Sequence, residues 1–147
     1  MSPIELSTRR RVTGLTSGEF AKLFVALERK VDGESAHWDA ADVESWEIVG
    51  PPVTAEDHLT ETFAAANEFV ATLARRLYRT VMPSDGGAPA EGTAITAFPD
   101  DLTFWAAQPD FGGIPHALWN IAALQAAEWA RQETGVTCEL KACNPLV

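Results

Sequence analysis

From Leu59 to Val81 the apolar residues Leu59, Phe63, Ala66, Val70, Leu73, Leu77 and Val81 recur at steps of four, three, four, three, four and four. Only an α-helix lays residues at that spacing along one face, so the pattern predicts one long amphipathic helix over about residues 55–82. Thr54 stands at its N-cap, Glu56, Asp57 and Glu61 lie near its start, and Arg75, Arg76 and Arg79 lie near its end. Charge thus complements the helix dipole at both ends, which accounts for the three arginines without any ligand. A stripe of this length has to be covered, and the remaining elements are constrained to supply the cover.

Three more helices are expected. Thr16-Ser17-Gly18-Glu19 is a capping box, with Leu15 and Phe20 at the two positions of a hydrophobic staple. Phe20, Leu23, Phe24, Leu27 and Val31 then share one face, and Gly33 ends the run. A short helix follows Asp100 and stops before Pro109, and a longer one begins with Pro115 in its first turn and ends at Gly135. Alternation of apolar and polar residues predicts strands over about 3–13, at Trp46–Val49, weakly at 93–98, and over 136–142. The run Arg9-Arg10-Arg11 then reads as charge protecting an edge strand, and residues 83–92 as a Pro- and Gly-rich loop. The expected fold is α+β: a single two-layer domain with long amphipathic helices packed on a small three- or four-stranded β-sheet.

At 147 residues, with 46% hydrophobic and 22% charged residues, the chain has the balance of a globular domain. No apolar run is long enough to span a bilayer, and Met1–Glu5 lacks the basic and apolar regions of an export signal, so a cytoplasmic location is expected. Cys138 and Cys143 lie five apart, a spacing of neither a redox pair nor a zinc half-site. In a strand that spacing also sends the two thiols to opposite faces.

Charge is the most distinctive feature after the long stripe. The net charge is −10, yet residues 1–31 carry six basic and three acidic groups, whereas residues 32–70 carry ten acidic groups and no Lys or Arg. Nucleic-acid binding through a broad basic surface is therefore not expected, and a basic protein partner is. Tryptophans anchor protein interfaces, and two of the five lie inside the acidic segment. The candidate contact residues are Trp38, Asp39, Asp42, Glu44, Trp46 and Glu47, in a non-enzymatic binding module of the inhibitor, immunity-like or accessory type. Acidity as a plain solubility trait is the competing explanation for the charge.

The alternative is a small ligand-binding or metal-dependent enzyme with a pocket near His37, His58 and His116. His58 and Glu61 are three apart on the long helix and share a face, and His37 and Asp39 precede them in sequence. His-x-x-Glu without a second fixed element is common by accident, so no cofactor is implied. Asp100-Asp101 reads as a helix start, and Gly112-Gly113 before His116 as a turn.

Overall fold

The structure, a computed structural model, describes residues 1–32 and 38–143. It corrects the expected fold class. The described residues form six α-helices and a two-stranded parallel sheet, so the chain is mostly helical, without a three- or four-stranded sheet to carry the helices.

Two of the expected strands are helices. The first is α1, Pro3–Val12. The Ser2 hydroxyl accepts the Glu5 N–H at 3.2 Å, Pro3 occupies the first turn, and three arginines fill the last turn. Alternation at Ile4, Leu6 and Val12 was misleading, because only Leu6 is buried, while Ile4 is 76% and Val12 80% exposed. The second is α3, Ala40–Val49, which follows α2, Ser17–Asp32. Asp39 and Asp42 form a reciprocal capping box at its start, with hydrogen bonds of 3.0 and 2.9 Å. Val43 and Trp46, three apart, face the core. Gly50 ends the helix at φ +98°, a conformation that excludes most other residues.

The long helix is present as α4, Val53–Val81. Phe63 and Leu73 are buried as expected, whereas Val70 and Leu77 are only half-buried. Beyond it come the loop, then β1, Ala94–Ala97, α5, Asp101–Ala107, a single 3₁₀ turn at Pro109–Phe111, α6, His116–Thr134, and β2, Glu139–Ala142.

The residues cluster into two compact units. One holds residues 1–67 with 113–115. In it α1 and α2 both pack on α3, and Phe20 lies 4.9 Å from the Phe63 ring and 6.5 Å from that of Phe24. Leu15 is buried and the Thr16–Glu19 capping box forms as expected, with bonds of 3.0 and 3.1 Å. The other unit holds residues 68–112 and those from 116 onward. Its core is an aromatic cluster in which Phe98, Phe104 and Phe111 surround Trp119 at 5.3 to 5.9 Å. The Trp119 indole donates to the Thr96 carbonyl at 2.8 Å, and the Asn120 amide bonds both the N–H and the carbonyl of Phe98. Those bonds fasten β1 to α6. Parallel pairing of β1 with β2 requires a crossover, and α5 with α6 supplies it. Alanines 122, 123, 126, 127 and 130 are all buried and share one broad face of α6, while Leu124 and Gln125 are exposed on the other.

Candidate functional site

The acidic segment and its tryptophans are the first place to test. Trp46 is a core residue: it is 5% exposed, and its ring meets Phe24 edge-on at 5.7 Å. It therefore cannot be an exposed anchor. Trp38 is half-buried and packs edge-on against Trp46 at 4.9 Å. Its indole N–H is buried without a hydrogen-bond partner among the described residues. Asp39 and Asp42 are committed to capping α3. Glu47 is held in a bidentate pair by Arg10 of α1, and Glu44 stands exposed.

What the sequence did not reveal is an apolar surface in the same segment. With α3 a helix, Ala41, Glu44, Ser45, Ile48 and Val49 form its solvent face at steps of three, one, three and one. Ile48 is 78% exposed and Val49 76%, and Val53, four residues on at the start of α4, is 86% exposed. Gly50-Pro51-Pro52 makes the corner between them. A side chain at Gly50 would start 4.0 Å from Cγ of Pro3, so the start of α1, with exposed Ile4, adjoins that corner. Glu44, Glu56 and Asp57 are exposed around these apolar groups, and Glu56 receives the Met1 amine. The signal that marks this face is helical periodicity at residues 41–49; a strand assignment hides it by alternating Ile48 and Val49 between faces.

Of the three histidines, the described residues include His58 and His116, one in each compact unit. His37 lies outside the described residues. His58 is half-buried in the first unit, with Nδ1 3.7 Å from Glu61 and its ring edge-on to Phe24 at 6.4 Å. His116 belongs to the second unit, where Nδ1 donates to Asp101 at 2.6 Å. The same carboxylate oxygen accepts the His116 backbone N–H at 2.9 Å, so Asp101 caps α6. Asp100 caps α5, and hydrogen bonds from Thr103, first its backbone N–H, hold the Asp100 carboxyl below its usual range. A cleft of about 240 Å³ opens between α1 and α4, lined by Thr8, Arg9, Val12, Thr13, Phe63 and Asn67; neither His58 nor His116 is among these residues. Among the described residues no helix is long and apolar enough to cross a membrane. No known protein family matches the chain, and no curated protein is similar to it in sequence.

Proposed function

We propose that this chain is a non-enzymatic binding module that captures a basic protein partner on the corner formed by α3 and the start of α4. The observation that carries this reading is the exposure of Ile48, Val49 and Val53, from 76 to 86%, within a stretch that has acids and no Lys or Arg. Apolar side chains so exposed and so close in sequence cost hydration until something covers them. Carboxylates around them favour a partner with lysine or arginine at the rim of its own apolar contact. Asp39, Asp42 and Glu47 serve the fold of α3, so contact energy falls to Ile48, Val49 and Val53, and steering to Glu44, Glu56 and Asp57.

A titration monitored on isoleucine and valine methyl resonances tests the idea, with an amphipathic lysine–leucine helical peptide as probe. Saturable shifts centred on Ile48, Val49 and Val53, weakened by salt, are expected. Non-saturating shifts, or shifts scattered over the surface, would refute it.

A further inference from the structure

Among the described residues, β2 has no neighbouring strand on the side away from β1. The Glu139 N–H bonds the Thr93 carbonyl at 3.2 Å and the Cys143 N–H bonds the Ala97 carbonyl at 2.8 Å. Backbone groups alternate along a strand, so Glu139, Lys141 and Cys143 face β1, and Leu140 and Ala142 turn their N–H and C=O outward. Among the described residues no third strand takes those groups. All four residues of β2 are exposed, and Leu140 retains 38% exposure although its register partner Ile95 is buried. Parallel pairs this short are normally covered or extended, because each open edge leaves a row of unsatisfied backbone groups.

We propose that β2 pairs antiparallel with β2 of a second copy, about a two-fold axis at Leu140, giving a continuous four-stranded sheet. Two independent features select this register. Antiparallel strands related by such an axis exchange both hydrogen bonds between the same residue in each copy, so that residue must present its backbone outward, and Leu140 does. The same register sets Glu139 of each copy opposite Lys141 of the other, in the close, non-hydrogen-bonded positions, where opposite charges attract and like charges repel. Leu140 meets Leu140, and its exposed area is covered. A slip of one residue would oppose Leu140 to Lys141 and lose both charge pairs. The proposal uses none of the residues of the acidic corner and does not depend on that reading.

Sedimentation velocity over a concentration series up to millimolar protein, in physiological salt, gives the test. Wild type shifts from monomer to dimer. Glu139→Lys and Lys141→Glu each oppose like charges twice across the axis, and each alone dimerises about tenfold more weakly. An equimolar mixture of the two variants recovers wild-type association, because the lysines of one then face the carboxylates of the other. Recovery on mixing also demonstrates that both variants are folded. A wild type that stays monomeric, single variants that dimerise as well as wild type, or a mixture that fails to recover would each overturn the proposal.

Discussion

Arg10 of α1 grips Glu47 of α3 through two parallel hydrogen bonds, one of them 3.1 Å, and donates a third, of 2.8 Å, to the Leu15 carbonyl. Both side chains are largely buried, at 13 and 12% exposure, and the bond to Glu47 is the main reason that the guanidinium pKa rises above its usual value. One side chain thus ties α1 to α3 and to the turn that precedes α2.

Removing the carboxylate leaves a desolvated guanidinium without its main partner. Glu47→Ala is expected to cost about 1–3 kcal/mol in urea unfolding, and Glu44→Ala, which is exposed, close to nothing. Equal effects from the two variants would mean that the Arg10 pair does not dock the helices.

Along α4 the expected stripe divides by burial. Leu73 is 4% exposed and Leu77 is half-buried. Leu73→Ala is expected to cost about 2–5 kcal/mol, with Leu77→Ala well below it. Reversal of that order, measured in the same unfolding experiments, would put the wrong face of the helix in the core.

The sequence was informative where a pattern ran long enough to have one period. Seven apolar positions over α4 admit only a helix, and the Thr16–Glu19 box locates the start of α2. At α1 and α3 the apolar positions are few, and Ile4, Leu6 and Val12 fit alternation as well as they fit a helix with one buried residue. The deciding features there are caps: Ser2 before Pro3, and Asp39 three residues before Asp42. Of the candidate site, the charge was legible and the anchors were not. Tryptophan suits a core as well as an interface, and Trp46 is core because Val43 and Phe24 surround the same space. A strand over Trp46–Val49 would send Ile48 and Val49 to opposite faces, whereas the helix turns both to solvent.

Acid sensitivity follows from Asp100. Its folded pKa lies below 3.8, the ordinary value for an aspartate, so the cap contributes its stabilisation above that value. The contribution is lost as pH falls through the lowered folded value. Carboxyl-carbon NMR should give Asp100 a midpoint below 3.8 in the folded chain, and the first turn of α5 should fray as it protonates. A midpoint at or above 3.8 would contradict the cap.

The acidic corner as a protein-binding face is tested most directly by affinity capture from cells that make the chain naturally, comparing wild type with Ile48→Asp/Val53→Asp. Both positions are exposed, so the double variant should fold as wild type does, as checked by circular dichroism. The outcome expected is a basic protein retained by wild type, lost from the double variant, and released by Glu44→Lys/Asp57→Lys more readily at low salt than at high. Capture of the same proteins in the same amounts by wild type and by Ile48→Asp/Val53→Asp would contradict the claim.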